Sequence, residues 1–440
     1  MDLGLNQNEL SYIFKNMDDA VCITSRNGVI RYINKSAMRL LGIEGSAENQ
    51  KIWNAIPYVE RNDALIQLFI DAITAKEKSF QDFVEFEKND GSVCHLRVSL
   101  TYSNEDDEEM FVIVINNLTE FMRVSSAFRR YTSSSIADYV LNTPGGEMIG
   151  GVAKDVTILM SDLRGFTALS TRLAPTDLIT ILNHYFESMV KVIEKYNGTV
   201  IEFLGDGIFV VFGAPKDDPN HAVDAVSCAI EMENMMAEVN VWNEENNYPT
   251  LEMGIGINSG TVIVGNIGSD EKMKYGCMGE PVNIAGRVET FTIGGQVIIS
   301  ENTKALIKEK LDIAGEQSFL PKGAKDEMKI YEISGICDVS LNSNDEVIEW
   351  LPESGIKVSF YELDGKYVGD VAYEGRVLSL SKNERYAKLV ADTELKKSQN
   401  ITIDISENLY AKVVDVCDEF YTICFTSKPD SYADWSKALK

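Results

Sequence analysis

Residues 199–212 read Thr199-Val-Ile-Glu-Phe-Leu-Gly-Asp-Gly-Ile-Phe-Val-Val-Phe212, two apolar runs that flank a Gly-Asp-Gly turn. This pattern predicts a β-hairpin with its tip at Gly205-Asp206-Gly207. A further apolar run, Asp155-Val-Thr-Ile-Leu-Met-Ser-Asp162, is typical of a buried strand. If this strand lies beside the hairpin, the carboxylates of Asp162 and Asp206 converge.

Converging carboxylates of this kind favour a metal site for phosphate chemistry. Hard cations such as Mg²⁺ prefer oxygen ligands, and two such ions about 3.5–4 Å apart can clamp an in-line displacement at phosphorus. Asn283 and Arg287 fall on one face of a helix that is predicted further along the chain. A Gly-Asp-Gly turn alone is more often only a tight hairpin. The combination predicts phosphoryl or nucleotidyl transfer.

The central part of the chain, from about Val156 to Ile333, resembles the class III nucleotidyl cyclases. The resemblance rests on the motifs Ser161-Asp-Leu-Arg-Gly-Phe-Thr167, Phe203-Leu-Gly-Asp-Gly-Ile-Phe-Val-Val-Phe-Gly213, Gly254-Ile-Gly-Ile-Asn-Ser-Gly260 and Gly279-Glu-Pro-Val-Asn-Ile-Ala-Gly-Arg287. It implies an α+β, ferredoxin-like domain. The order of predicted strands and helices suggests the same fold, an antiparallel sheet with helices on one side. This order comprises a strand (156–161), a helix (175–197), the hairpin (199–213), a helix (219–241), a strand pair (251–266), a helix (281–290) and further strands at 296–299 and 328–333.

The resemblance implies an active site with two Mg²⁺ or Mn²⁺ ions. The metal-binding residues would be Asp162, Leu163 and Asp206. The residues that act on ribose and phosphates would be Asn283, Arg287 and Lys322, with Lys325 as a neighbouring candidate. In class III cyclases these two sets come from different subunits. Because this chain carries both sets, the resemblance implies a head-to-tail homodimer with shared sites.

The turn after the first strand, Gly165-Phe166-Thr167, is a candidate phosphate-binding segment, because backbone N–H groups in such a turn can face phosphate oxygens.

The residues expected to recognise the base favour GTP over ATP as substrate. Glu202 stands where adenylate cyclases usually carry Lys and guanylate cyclases Glu. A carboxylate accepts from guanine N1–H and its N2 amino group but repels the N1 lone pair of adenine. The second selectivity position holds Gly276, with Cys277 adjacent, and lacks an acceptor for an adenine amino group. The prediction is conversion of GTP to cyclic GMP; the alternatives are cyclic AMP synthesis or nucleotide binding without turnover.

Residues 1–116 alternate short strands and helices in the order of a PAS domain, a sensory α/β module. Strands are predicted at 20–24, 29–33, 82–87, 95–100 and 110–115, with a helix at 34–42. The phrase Asn27-Gly-Val-Ile-Arg-Tyr-Ile-Asn34 carries the resemblance. It implies regulation or dimerisation through this domain, whose ligand is unknown.

Residues 117–145 are predicted to be a linker helix. An apolar stripe at Leu118, Phe121, Val124, Phe128 and Tyr131 either docks on its own domain or pairs with its twin in a dimer, and Ile136, Tyr139 and Val140 form a second short stripe. Thr143-Pro-Gly-Gly146 ends the helix, so the catalytic domain is assigned to residues 146–336.

Residues 337–440 are predicted to form a small β-barrel from six short strands, at 356–361, 373–380, 387–391, 400–405, 409–416 and 421–425. The segment resembles a PilZ domain through Gly375-Arg-Val-Leu-Ser-Leu-Ser381 and Phe425-Thr-Ser-Lys-Pro429. The family's cyclic di-GMP signature is damaged, because Ser379-Leu-Ser-Lys-Asn-Glu384 departs from it and no Arg-x-x-x-Arg precedes it. A packing or interaction role is therefore expected rather than ligand binding.

Composition excludes several other classes of protein. The 440 residues carry 68 Asp and Glu against 41 Lys and Arg, a net charge of −27, which disfavours nucleic acid as a partner. Seven scattered cysteines favour reduced thiols in a cytoplasm, and three histidines leave little material for a haem site. No long apolar stretch predicts a membrane span.

Overall fold

The computed structural model describes residues 7–75, 79–105, 108–319, 327–342, 348–353, 355–364, 367–429 and 431–439. It divides into two compact units, Met1–Tyr131 and Thr132–Lys440. Within the described ranges, no helix is both long enough and apolar enough to cross a membrane.

The first unit contains a five-stranded antiparallel sheet in the order β2-β1-β5-β4-β3. Its elements are α1 (Gln7–Asn16), β1 (Ala20–Ser25), β2 (Ile30–Ile33), α2 (Lys35–Leu40), α3 (Ile52–Ala55), α4 (Asp63–Ala75), β3 (Ser79–Glu87), β4 (Val93–Glu105), β5 (Glu108–Asn117) and α5 (Thr119–Tyr131). The predicted strands are all present. The predicted cap is also present, since the Asn34 side chain accepts a hydrogen bond from the Ala37 N–H at 2.8 Å at the start of α2.

Helix α5 has no buried residue. Its exposed apolar side chains include Phe121, Val124 and Tyr131, which are 63%, 61% and 92% exposed. Within one chain, therefore, this part of the predicted apolar stripe is not covered.

The second unit begins with the helix and sheet of the central region. Its elements up to residue 340 are α6 (Ser134–Asn142), β6 (Gly150–Leu163), α7 (Phe166–Ser170), α8 (Pro175–Lys195), β7 (Thr199–Leu204), β8 (Gly207–Phe212), α9 (His221–Glu245), β9 (Met253–Ser269), β10 (Lys272–Met278), α10 (Glu280–Thr290), β11 (Gln296–Ser300), α11 (Glu301–Leu306), β12 (Leu311–Phe319), β13 (Met328–Ile336) and β14 (Val339–Ser340). The described strands pair in the order β12-β13-β11-β9-β6-β8-β7, with β10 on β9 and β14 on β13.

The linker region differs from the single helix that its sequence predicts. Helix α5 ends at Tyr131, and α6 begins after Ser133, whose hydroxyl accepts a hydrogen bond from the Ile136 N–H at 3.3 Å. Ile136 and Ala137 of α6 are buried in the second unit, and the Tyr139 ring packs edge-on against Tyr275. The second apolar stripe thus docks on the catalytic region of its own chain.

Helices cover both faces of the central sheet, so the prediction of helices on one side is wrong. Alternate residues of each strand face opposite ways. Leu159 and Val210 face a core that contains residues of α8 and α9. Ile158 and Val211 face the other core, which includes Ala285 of α10. The error arose because α10 is short and amphipathic, and its pattern does not reveal which face of the sheet it covers.

Strand β9 is also longer than predicted. The sequence suggested a pair of strands within residues 251–266, whereas β9 runs unbroken over Met253–Ser269 and forms a hairpin with β10. The glycines of β9 looked like turn signals, but they allow close packing within a continuous strand.

The C-terminal part of the second unit is a closed barrel of six described strands in the order β15-β16-β17-β20-β19-β18. Its elements are β15 (Ile356–Asp364), β16 (Tyr367–Leu380), β17 (Tyr386–Ala391), β18 (Asn400–Asp404), β19 (Asn408–Val416), β20 (Tyr421–Ser427) and α12 (Tyr432–Lys437). Phe360, Leu389 and Ile423 lie in its core and are fully buried.

Candidate active site

The end of the sheet that carries Asp162 and Asp206 is built by β6 and the β7–β8 hairpin. Strands β6 and β8 are antiparallel, with Ser161 opposite Ile208, so Asp162 and the hairpin tip meet at the same end. A side chain at Gly207 would place its Cβ 2.7 Å from the Ser161 carbonyl oxygen and 3.5 Å from an Asp162 carboxylate oxygen. The glycine is needed because the turn approaches the strand this closely.

The two aspartates interact directly. Burial, followed by the charge of Asp206, raises the pKa of Asp162 to about 7. Two adjacent carboxylates resist joint ionisation unless a cation neutralises them, so the pair suits a divalent ion. The Leu163 side chain is buried in the core, which leaves only its backbone carbonyl for a metal.

Within the described ranges, no group of three or more His, Cys, Asp or Glu side chains is arranged to hold a metal ion. A cation at Asp162 and Asp206 would therefore complete its shell with a backbone carbonyl, substrate phosphates and water. That donor set fits Mg²⁺ or Mn²⁺, because hard cations keep several water ligands and bind through one or two carboxylates plus phosphates.

Arg164, two positions after Asp162, links the end of β6 to α10. Its guanidinium forms an ion pair with Glu289 and donates to the Thr292 hydroxyl at 3.2 Å. The Arg164 and Glu289 side chains are only 14% and 13% exposed. The sequence analysis did not single out this pair, because an ion pair between residues 125 positions apart leaves no local pattern.

Helix α10 rests directly on the backbone of β9. A Cβ at Gly256 would lie 2.2 Å from the Glu289 backbone nitrogen, so only glycine permits this contact. Asn258, fully buried in β9, donates its side-chain amide to the Pro281 carbonyl at 2.9 Å. These contacts explain why the Gly-Ile-Gly-Ile-Asn motif accompanies the helix that follows it.

Asn283 and Arg287 both lie on α10 and are exposed, whereas Ala285 and Val288 are buried beneath them. The two exposed side chains are one helical turn apart, so they present an amide and a guanidinium on the same face. The charges of Asp206 and Glu289 raise the pKa of Asp162, whereas the charge of Arg164 lowers it.

The predicted phosphate-binding segment forms a turn that leads into the short helix α7. Gly165 has φ of 68° and precedes Phe166 at the start of that helix, and Thr167 is exposed. The left-handed conformation at Gly165 is accessible to glycine at little cost. Lys322 and Lys325 lie outside the described residues.

Glu202, the predicted base-recognition residue, forms an ion pair with Lys274 of β10 at 2.5 Å. Lys274 and Gly276 share one face of β10, because they are two positions apart on a strand. Cys277 faces the other way: it is 8% exposed and packs in the core with Val264 and Ala285. Its thiol is directed away from Glu202, and burial raises its pKa to about 11.

Comparison with known proteins identifies two regions. Residues 151–335 match the family model of the adenylate and guanylate cyclase catalytic domain, and residues 18–120 match a PAS domain model. Residues 151–335 are therefore a class III nucleotidyl cyclase catalytic domain, and residues 18–120 are a PAS domain.

Individual relatives carry both nucleotide specificities in their names. The chain is 30% identical over 185 residues to adenylate cyclase 1 of Rhizobium meliloti, which covers 42% of this chain and 28% of that protein. It is 43% identical to the solved guanylyl cyclase Cya2, covering 44% of this chain and 100% of that one with a TM-score of 0.43. It is 34% identical to the adenylyl cyclase CyaB of P. aeruginosa, covering 43% and 99% with a TM-score of 0.41.

Proposed function

We propose that this protein is a guanylate cyclase that converts GTP to cyclic GMP and pyrophosphate. The observation that carries the proposal is the convergence of Asp162 and Asp206 beside the phosphate-binding turn, in a domain that also presents Asn283 and Arg287. Cyclisation requires the ribose 3′-hydroxyl to attack the α-phosphate while pyrophosphate leaves in line. Divalent ions at the aspartates would lower the pKa of that hydroxyl and neutralise the triphosphate.

The chain's own residues perform the remaining tasks in this proposal. The Asn283 amide orients the ribose, and the Arg287 guanidinium meets the charge that develops on the α-phosphate. Backbone N–H groups of Gly165-Phe166-Thr167 face the phosphates. Lys322 would hold the terminal phosphates.

The active sites are shared between the subunits of a head-to-tail homodimer in this proposal. In such a dimer the aspartates of one chain would meet Asn283 and Arg287 of the other, and both of these side chains are exposed on α10. Exposed apolar side chains also surround the hairpin tip and the β9–β10 hairpin, at 37–58% exposure. They are Phe203, Leu204, Ile263, Ile267, Met273 and Met278. A second copy of the chain would cover them.

The Glu202–Lys274 pair supports GTP as the substrate. Guanine satisfies the pair with three hydrogen bonds: N1–H and the N2 amino group donate to the carboxylate, and O6 accepts from the ammonium. Adenine offers only two, from its N6 amino group to Glu202 and from Lys274 to N1. Because adenine can still bind, an adenylate cyclase is the second candidate, and the similarity to a protein named adenylate cyclase 1 supports it.

Replacing Lys274 with methionine is expected to raise the KM for GTP by about tenfold, because guanine O6 then loses its donor. Steady-state cyclase kinetics with GTP provide the measurement. Lys272, exposed on the same face of β10, supplies the matched control Lys272→Met, which should leave the KM unchanged. If the two substitutions change the KM for GTP equally, or if Lys274→Met does not change it, Lys274 is not the hydrogen-bond donor to guanine O6.

Regulation is proposed to act through the PAS domain and α5. The exposed apolar residues of α5 suit pairing with the same helix of a second chain, which raises the effective concentration of the catalytic domains.

All seven cysteines are free, which supports a cytoplasmic location.

A chain that starts at Thr132 should dimerise more weakly than the full chain while keeping its catalytic unit folded. Its specific activity is expected to rise with protein concentration, whereas that of the full chain should be constant over the same range. A start at Thr143 is the control, because it also removes Ile136 from the core and should lower stability by about 2–4 kcal/mol. Activity of the Thr132 chain that does not depend on concentration would contradict the dimerising role of α5.

The proposal as a whole is tested by incubating the purified full chain with GTP or ATP and with Mg²⁺ or Mn²⁺, then searching for a cyclic product. A nucleotide-binding protein without turnover would bind either substrate and release neither cyclic product nor pyrophosphate. That result would reject the cyclase activity and leave the domain assignment intact.

A further inference from the structure

The C-terminal barrel packs against the part of the cyclase domain that builds the active site. A Cβ at Gly165 would lie 2.7 Å from the Thr426 carbonyl oxygen and 3.3 Å from the Ser427 Cβ. Nearby, Arg172 donates to the Lys428 carbonyl at 3.1 Å. The turn that follows the metal-bearing strand therefore lies directly on β20 and the residues after it.

A second contact joins the barrel to the C-terminal end of α10. Lys412 of β19 is 3% exposed, and its ammonium donates to the carbonyls of Thr290 and Thr292 at 2.6 and 2.9 Å. Burial lowers the pKa of Lys412 to about 7, and the nearby Arg164 acts in the same direction. A buried donor at the C-terminus of a helix satisfies carbonyls that have no partner within the helix.

A third contact reaches the loop before β9 and the loop between α10 and β11. The Arg385 guanidinium, in the turn between β16 and β17, donates to the Gly294 carbonyl at 2.5 Å and pairs with the Glu252 carboxylate at 3.4 Å. The carbonyl of Glu252 accepts the backbone N–H of Arg164 at 2.7 Å. Arg385 therefore contacts Glu252, and the carbonyl of Glu252 in turn holds the backbone of Arg164 in the turn after Asp162.

These contacts form one partly buried charge cluster. Its positive groups come from both domains and its negative groups from the cyclase domain: Arg164, Arg385, Lys412, Glu252 and Glu289. Breaking a buried cluster by removing one member leaves other charges uncompensated, so its parts hold one another in place. The cluster joins Arg164, beside the metal aspartate, to Glu289, on the helix of Arg287.

We propose that Lys412 and Arg385 are positioning residues of the cyclase site, which hold the Arg164–Gly165 turn and α10 in one fixed arrangement. The barrel is then a structural part of the catalytic machinery. Both stretches that resemble a PilZ domain lie near these contacts: Thr426–Lys428 falls within one, and Arg385 follows shortly after the other. The effect on turnover rests on the proposed function, whereas the positional claim does not.

The test compares Lys412→Met with the wild-type full chain by hydrogen exchange and by kinetics. Loss of the two carbonyl contacts should speed amide exchange in residues 164–168 and 287–293 and leave exchange in β15 unchanged. If the wild type turns over nucleotide, kcat should fall by about 10- to 100-fold with a smaller change in KM, because misplacement of catalytic groups affects the transition state most. Lys437→Met makes the same substitution at an exposed lysine of α12 and should change neither amide exchange nor kcat.

Arg385 provides the second variant in case Lys412→Met does not fold. Arg385→Met should produce the same exchange pattern near Arg164 and a smaller loss of kcat, and Arg385→Lys should restore part of it. A drop in melting temperature with unchanged kcat would show a merely structural role and overturn the proposal. Unchanged exchange in both segments would also overturn it, whether or not the protein turns over nucleotide. Absence of wild-type turnover with altered exchange would instead reject the proposed function and keep the positional link.

Discussion

Replacing Asp162 with alanine is expected to lower cyclic nucleotide formation by at least about 10³-fold, because the site loses half of the carboxylate pair that holds the metals. Asp206→Ala should have the same effect. Neither change should unfold the protein. The pKa of Asp162 is higher in the folded protein than in the unfolded chain. At pH 8 the ionised carboxylate therefore destabilises the metal-free fold. Replacing this carboxylate with alanine should leave the melting temperature equal or higher.

The same variant tests whether active sites are shared between subunits. Arg287→Ala should also be nearly inactive, although Arg287 is exposed and its removal costs little stability. When Asp162→Ala and Arg287→Ala chains are mixed, each heterodimer contains one intact site, because its aspartates come from one chain and its arginine from the other. Random assortment of equal amounts should restore about a quarter of wild-type activity. Absence of rescue in verified heterodimers would contradict shared sites.

The second large effect is expected on nucleotide choice. Glu202→Lys replaces the acceptor for guanine N1–H and N2 with a donor for adenine N1, and Gly276→Asp adds an acceptor for the adenine amino group. The wild type should prefer GTP over ATP by about 10²-fold or more in kcat/KM, and the double variant should prefer ATP. Comparison of kcat/KM for both nucleotides provides the measurement.

The double substitution is structurally feasible. Gly276 has no positive φ, and a Cβ there would meet only the flexible end of Ile267, at 3.0 Å. Glu202 is exposed on β7, so a lysine of similar length can replace it. Lys274 then faces a like charge, so adding Lys274→Met should improve the use of ATP further. A double variant that still prefers GTP would show that Glu202 does not read the base.

Local patterns in the sequence predicted much of the fold. The β7–β8 hairpin, helix α8 and the barrel strands each combine an apolar period with clear turn residues, and their observed bounds lie close to those expected. The length of β9 and the helix break at Ser133 could not be predicted, because glycine occurs both in turns and within strands, and serine occurs both in connecting segments and at helix caps. Tertiary contacts decide which face of the sheet α10 covers, and the hydrophobic periodicity of a short helix does not specify them.

The residues of the candidate site also differ in whether the local sequence predicts their role. Asp162, Asp206, Asn283 and Arg287 stand in recognisable motifs, so their positions could be predicted. The Arg164–Glu289 pair, the Glu202–Lys274 pair and Lys412 join distant parts of the chain, and each residue alone resembles an ordinary surface charge. Lys412 is the clearest case, because a lysine on a strand usually faces solvent, whereas this one is almost fully buried between two domains.

The most direct measurement is a competition assay in which the purified full chain acts on equal concentrations of GTP and ATP with Mn²⁺, with both cyclic products quantified by mass spectrometry. Cyclic GMP is expected to accumulate faster than cyclic AMP, and the Asp162→Ala variant is expected to form neither product. Faster formation of cyclic AMP would contradict the assignment of GTP, and absence of both products from the wild type would contradict the cyclase activity itself.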